Sequence, residues 1–245
     1  FPPTSCPSSQ EEATRYALKF IPSMKVREPQ TQKILCLGFT DEIEGYQLLQ
    51  MISDLRARIL HQRSVTPALH GSAHTYGTNA DYLTHLLDFW AHDYNFRKRE
   101  AWLNSFPQYT TNIQGLSIHF IHVKPPNPHH KRVLPLLLLH GWPTTAFEYV
   151  HVIQNLQMER EDYDFVFEII APHLPGYGYS EATNKIGMAP YQMGIIMKNL
   201  MNRLGKRRFF IHAGDMGQLV ADSMAVLFSD RVLGLHTNFA FRYYV

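Results

Sequence analysis

Cysteine is scarce in this sequence: Cys6 and Cys36 are the only two in 245 residues. They form neither a disulfide framework nor a zinc-type spacing, and they leave the redox compartment open. Long apolar runs are missing as well. No stretch of about 18 apolar residues occurs; the longest run, 134–139, is interrupted by Pro135 and has the length of a buried strand. Excess charge of one sign is also absent, since 23 Lys and Arg against 21 Asp and Glu leave a formal net charge of +2. That excludes the basic footprint a nucleic-acid partner would need. The densest basic cluster, Lys206-Arg207-Arg208, precedes an apolar strand and reads as a solvated turn. The chain opens on Phe1 rather than Met, so an upstream segment, with any leader or anchor it held, is expected to have been removed.

What is present is a globular composition, 45% hydrophobic and 18% charged, with a change of texture along the chain. Residues 1–39 begin Pro/Ser-rich and are expected to be irregular. From Thr40, an N-cap followed by Asp41 and Glu42, apolar residues recur every three or four positions: Ile43, Tyr46, Leu49, Ile52, Leu55 and Ile59. Tyr82, Leu83, Leu86, Leu87 and Trp90 mark a second helix. Residues 40–108 are thus a helical lead-in. Beyond Pro107, 109–113 and 116–123 read as a hairpin turning at Gln114-Gly115, followed by a polar loop with Pro125, Pro126 and Pro128. Strands at 134–139, 165–171, 209–214 and 232–239 then alternate with helices at 144–156, 191–204 and 218–228. Strand–helix alternation with nearly continuous apolar strands predicts an α/β domain over 109–245, a mostly parallel sheet with helices on both faces.

One segment concentrates the chemistry. In Phe209-Phe210-Ile211-His212-Ala213-Gly214-Asp215-Met216-Gly217-Gln218 an apolar strand ends at an acid and a helix follows at once. Small residues lie two before the acid and two after it, as a sharp strand–turn–helix requires, because bulky neighbours would collide. Such a turn lifts Asp215 above the C-terminal edge of the sheet, where open α/β sheets bind ligands. There Asp215 either caps the helix or acts as a covalent nucleophile. A second motif, His140-Gly141-Trp142-Pro143, follows the first parallel strand. Gly141 allows a close backbone approach and Pro143 fixes the chain beyond Trp142. The loop can aim the Trp142 N–H at the point served by the Met216 N–H, and two converging donors make an oxyanion hole. His140, Gly141 and Pro143 are its supporting residues, with His140 expected to orient backbone.

At these residues the chain resembles the microsomal branch of the epoxide hydrolases, which includes the insect juvenile hormone epoxide hydrolases. The resemblance runs from about Thr40 to Ala240. It includes His140-Gly141-Trp142-Pro143, the Pro172-x-Leu174-Pro175-Gly176-Tyr177-Gly178-Tyr179-Ser180 loop and the elbow at Asp215. The stretches Trp102-Leu103-Asn104-Ser105-Phe106-Pro107 and Gln114-Gly115-Leu116 resemble that branch's N-terminal region in particular. The resemblance implies the first part of an α/β-hydrolase fold and hydrolysis of small apolar epoxides through an ester on Asp215. Juvenile hormone and xenobiotic epoxides are the substrates that the family suggests. No cofactor and no metal are implied. Membrane association, at the endoplasmic reticulum, enters only through the resemblance.

Two departures stand out. The family usually has Gly-Gly-Asp-Trp-Gly at the elbow, whereas this chain has Ala213 and Met216; residue 216 keeps its backbone N–H, but the pocket changes shape. In the family a helical cap then supplies tyrosines, and later strands an acid and a histidine; none follows before Val245, so no base is assigned. His212, His119, His122, His140 and His129-His130 are not expected to substitute, and His70 with His74 lack a third metal ligand. Gly178-Tyr179-Ser180-Glu181-Ala182 imitates a serine elbow but lies between a Pro-Gly loop and a polar turn. A non-catalytic relative that binds an epoxide or another lipid, and a haloalkane dehalogenase, are the rival readings. With an open strand edge at 232–239, the chain as given is expected to be oligomeric or poorly soluble.

Overall fold

The computed structural model describes residues 35–36 and 42–239, with the exception of 127 and 129. Thr40 and Asp41, read as the start of the first helix, lie outside the described residues. The chain divides into two compact units, one spanning 38–106 and the other 1–37 with 107–245.

The helical unit holds α1 (Glu42–Leu60), α2 (Ala80–His92) and α3 (Phe96–Leu103). Asn79 caps α2, its Oδ1 accepting from Asp81 N and Tyr82 N at 2.9 and 3.2 Å. These bonds satisfy two of the amide donors that a helix start leaves open. Asn95 does the same for α3 through Lys98 N at 2.8 Å. The sequence reading did not find α3, whose segment FRKREAWL has no apolar stripe.

The other unit is built on a seven-stranded sheet, in the order β1 (Leu35–Cys36), β2 (Gln108–Ile113), β3 (Leu116–Val123), β5 (Phe165–Pro172), β4 (Arg132–Leu139), β6 (Phe209–Ala213), β7 (Val232–Thr237). β1 is a two-residue strand within the segment read as irregular, and pairs Leu35 with Thr110. β1, β2, β3 and β5 pair antiparallel; β5, β4, β6 and β7 pair parallel. The predicted hairpin between β2 and β3 turns at Gln114 and Gly115, with φ of +54° and +91°. A two-residue turn that matches strand twist needs both in the left-handed region. Asn112 Oδ1 accepts the Gly115 N–H at 3.0 Å. Pro135 sits inside β4, a central strand. β6 pairs with β4 only from Leu136 onward, so on that side position 135 has no ladder partner to lose.

β4 is flanked by β5 on one side and β6 on the other, and the direction of winding reverses there. The crevice at the carboxyl ends of such strands is where doubly wound sheets place their sites. On one face, Leu137, Leu139, Ile170, Ile211 and Ala213 form a buried core with α5 (Pro190–Arg203) and α6 (Asp215–Leu227). On the other face a short 3-10 turn (Ala146–Tyr149) leads into α4 (Val150–Gln157). The helix expected from Thr144 therefore opens as the 3-10 turn, capped by Thr145, whose Oγ1 accepts from Phe147 N, and becomes α-helical only at Val150. Conversely α6 starts at Asp215 itself, three residues earlier than predicted.

Candidate active site

Asp215 stands at the junction of β6 and α6 with φ of +48°. A non-glycine residue in the left-handed region costs on the order of 1–3 kcal/mol, and persists only where its surroundings hold it. Here the surroundings are glycines at close range. A Cβ on Gly217 would run into the Leu139 carbonyl oxygen and lie 2.6 Å from that of His140. One on Gly141 would lie 2.5 Å from both Cβ and Oδ1 of Asp215. Gly214, at the N-cap, leaves room for the Asn238 side chain. The absence of these side chains lets the loop after β4, the elbow and the end of β7 close on one point.

At that point the Trp142 N–H donates to Asp215 Oδ1 at 2.7 Å, joining residues 73 positions apart. Gln218 N is the first α6 amide to reach a carbonyl in its own helix, Gly214 O at 3.2 Å. The Met216 N–H, two residues earlier, is among the donors that a helix start leaves open. His140 is buried behind the loop. Its Nε2 accepts the Leu174 N–H at 3.0 Å, which places the proton on Nδ1, 3.0 Å from Gly141 O. Burial lowers the His140 pKa, and the Gly141 carbonyl and Glu148 offset this only in part. Pro143 and the Trp142 side chain are exposed, and the bond between them is cis. The Tyr149 hydroxyl donates to Leu139 O at 2.8 Å, tying the end of β4 to the 3-10 turn; burial, with help from Glu148, raises its pKa.

The other histidines are engaged elsewhere. His119 and His173 lie Nδ1 to Nδ1 at 2.8 Å in the buried interior. His122 Nε2 lies 2.7 Å from Glu168 Oε1. His212 pairs with His236 at 2.7 Å on the sheet face carrying Leu138 and Phe210. Among the described residues no histidine is hydrogen-bonded to Asp215. His129 lies outside the described residues. Ser180, the imitation of a serine nucleophile, is buried and uses its hydroxyl for structure, accepting from His119 N at 3.0 Å and donating to His173 O at 2.8 Å. Lys206 corrects the reading of a wholly solvated basic turn: it is half-buried and its Nζ lies 2.6 Å from Glu168 Oε2. The sequence reading missed Thr144, whose N–H and Oγ1 both reach Gly141 O at 3.0 Å. A hydroxyl three residues after a turn glycine was the available signal. It also missed His173 and Asn238.

Two family models match the chain, and their matches overlap at residues 135–149. The family model for the epoxide hydrolase N terminus matches residues 48–149, and that for the alpha/beta hydrolase fold matches 135–240. The juvenile hormone epoxide hydrolase of Manduca sexta is 50% identical over 188 residues, 77% of this chain and 41% of that protein. Epoxide hydrolase 1 of Oryctolagus cuniculus is 42% identical over 193 residues, 77% of this chain and 42% of that protein. The crystal structure of the juvenile hormone epoxide hydrolase from the silkworm Bombyx mori superposes with a TM-score of 0.78 at 38% identity, covering 86% of this chain and 54% of that one. The chain thus spans less than half the length of these two curated relatives. With the N-terminal epoxide hydrolase region followed by the first strands and helices of an alpha/beta hydrolase, it belongs to the epoxide hydrolase family that includes the juvenile hormone epoxide hydrolases.

Proposed function

We propose that the protein bearing this chain hydrolyses apolar epoxides to diols, with Asp215 as covalent nucleophile. The observation that carries the reading is the 2.7 Å bond from the Trp142 N–H to Oδ1 of an acid at φ +48°. A residue that only capped its helix would accept from its own first turn; the N-cap of α6 is Gly214, and Asp215 accepts from the loop across the sheet instead. With Oδ1 held there, Oδ2 attacks an epoxide carbon. The carbon–oxygen bond of the ring breaks, the freed oxygen takes a proton, and a hydroxy ester remains on Asp215. Water then adds to the ester carbonyl carbon and gives up a proton, replacing the one taken up on ring opening, and negative charge gathers on Oδ1. Trp142 and Met216 N–H hold that charge, and collapse releases the diol and restores the carboxylate. His140 and Gly141 support the loop that presents Trp142, with Pro143 beyond it. Dividing the reaction lowers each barrier.

Juvenile hormone and xenobiotic epoxides are the substrate classes that the relatives suggest. Attachment to endoplasmic reticulum membranes rests on the family alone; among the described residues no helix is long and apolar enough to cross a membrane. A homo-oligomer is the expected state of the chain as given. The segments 40–108 and 109–245 serve as the N-terminal region and the first part of the hydrolase domain.

The enzyme expressed from its complete reading frame, in excess over substrate for one turnover in ¹⁸O-water, should give an unlabelled diol. The peptide containing Asp215 should gain the label. Label in the first diol would mean that water attacks the epoxide directly, with Asp215 acting only as a base. No diol at all would favour a non-catalytic binding relative.

A further inference from the structure

The Gly141 carbonyl accepts from three donors at 3.0 Å: Thr144 N–H, Thr144 Oγ1 and His140 Nδ1. That carbonyl and the Trp142 N–H belong to one peptide unit, and among the described residues the cis bond is the next one along. In a trans peptide the C=O and the N–H point in opposite directions. Anchors on the oxygen therefore aim the N–H, which meets Asp215 Oδ1 on the far side at 2.7 Å. We infer that Thr144 is a positioning residue for ester hydrolysis, its hydroxyl holding the Gly141–Trp142 peptide so that the Trp142 N–H stays on the oxygen that becomes the oxyanion. This rests on the Asp215 ester reading.

The three anchors are not equivalent. The Thr144 N–H survives any substitution except proline. His140 also accepts the Leu174 N–H from inside the core, so replacing it disturbs packing. The hydroxyl of Thr144, on an exposed residue, is the anchor that can be removed cleanly. Donors on a carbonyl oxygen also polarise its peptide and strengthen the N–H at the other end. The effect differs between the two chemical steps. During ester formation the carboxylate loses charge, so a weaker Trp142 N–H does not slow attack. During hydrolysis charge builds on Oδ1, and the donor then matters most.

The test compares Thr144→Val, which keeps the volume and loses the donor, with Thr144→Ser, which keeps the donor. Both are made in the enzyme from its complete reading frame, with styrene oxide as the apolar probe. Single-turnover mass spectrometry of the Asp215 peptide follows the ester, and diol release follows its hydrolysis. Thr144→Val should slow ester hydrolysis by about tenfold, a fraction of what losing an oxyanion donor outright costs. Ester formation should stay within about twofold, so kcat and KM fall together while kcat/KM holds. Thr144→Ser should restore hydrolysis to within about twofold. Hydrogen exchange at the Trp142 amide gives a readout without turnover: about tenfold faster in Thr144→Val, with the Leu137 and Leu138 amides unchanged. Equal slowing of both steps, no slowing of hydrolysis, or a serine variant as slow as the valine one would overturn the inference. If wild type forms no ester on Asp215, the nucleophile reading fails, and Trp142 exchange still decides: an unchanged rate in Thr144→Val overturns the role of the hydroxyl.

Discussion

His119 and His173 face each other Nδ1 to Nδ1 at 2.8 Å, one on β3 and the other just beyond β5, both fully buried. A contact of that length holds a single proton, so the two rings cannot both be charged. Their backbones are joined as well, His173 N donating to His119 O at 2.9 Å. The other nitrogen of His119 meets Gln108 Oε1 at 3.0 Å, whereas Nε2 of His173 has no partner. Burial pulls His119 down to about 4. Burial, then the neighbouring His119 and His140, pulls His173 down to about 3.

This pair predicts acid sensitivity. In the unfolded chain both rings titrate near 6.5, and in the folded chain they stay neutral well below that. Between those values the unfolded state binds more protons, so stability falls as pH falls. Melting temperatures at constant ionic strength should be level from pH 8 to about 6.5 and then drop progressively towards pH 4. A level profile down to pH 4.5 would mean that the histidines are not buried in neutral form.

The elbow was legible in the sequence because steric demand leaves a trace there. Gly217 is glycine because the Leu139 carbonyl occupies the place of its side chain, and Gly141 is glycine because Asp215 does. Parallel strands were legible for a similar reason, being apolar on both faces. Features built from long-range polar contacts left no such trace. Lys206 looked like one of three surface cations, and only the sheet order β5-β4-β6 brings it to Glu168, 38 positions away. Helix α3 depends on its Asn95 cap rather than on periodicity. The helical stretch begins only at Ala146, and as a 3-10 turn, because the Thr144 and Thr145 hydroxyls are engaged in turn bonds, which apolar spacing cannot register.

Adding a methyl group at the two close glycines should separate stability from site geometry. Gly217→Ala drives a carbon into two backbone carbonyls, which neither rotamer change nor a flexible neighbour can relieve. About 2–3 kcal/mol of destabilisation is expected in denaturant titrations. Gly141→Ala meets the Asp215 side chain instead, 2.5 Å from Cβ and Oδ1. It should cost less stability yet prevent the ester from forming. Full ester formation in Gly141→Ala would show that the loop and elbow are not as close as described.

Strand β7 is an edge strand among the described residues. Beside it lies an apolar groove of about 500 Å³ lined by Leu136, Leu138, Phe167, Phe210 and Leu235. An unpaired edge next to exposed apolar surface favours self-association. Residues 1–245 produced alone should therefore sediment as oligomers at micromolar concentration, and Phe210→Lys should shift them towards monomer. A monomer with a single sharp melt would argue against this.

Glu168 lies in the sheet, 5% exposed, with Lys206 Nζ at 2.6 Å and His122 Nε2 at 2.7 Å. Burial pushes its carboxyl up, but the hydrogen bonds from Lys206 and His122 outweigh that and leave it below the usual carboxylate value of 4.5. A lowered folded pKa contributes stability above the unfolded value that is lost as pH falls through the folded one. Lys206→Met removes the stronger counter-charge and leaves a buried carboxylate short of partners, which should cost about 2–3 kcal/mol at pH 7. Adding Glu168→Gln to that variant removes the charge that needed compensation, so the double variant should be more stable than Lys206→Met alone. Denaturant titrations of wild type, both single variants and the double variant measure the coupling. Strict additivity would mean that Lys206 only touches Glu168 and does not stabilise its charge.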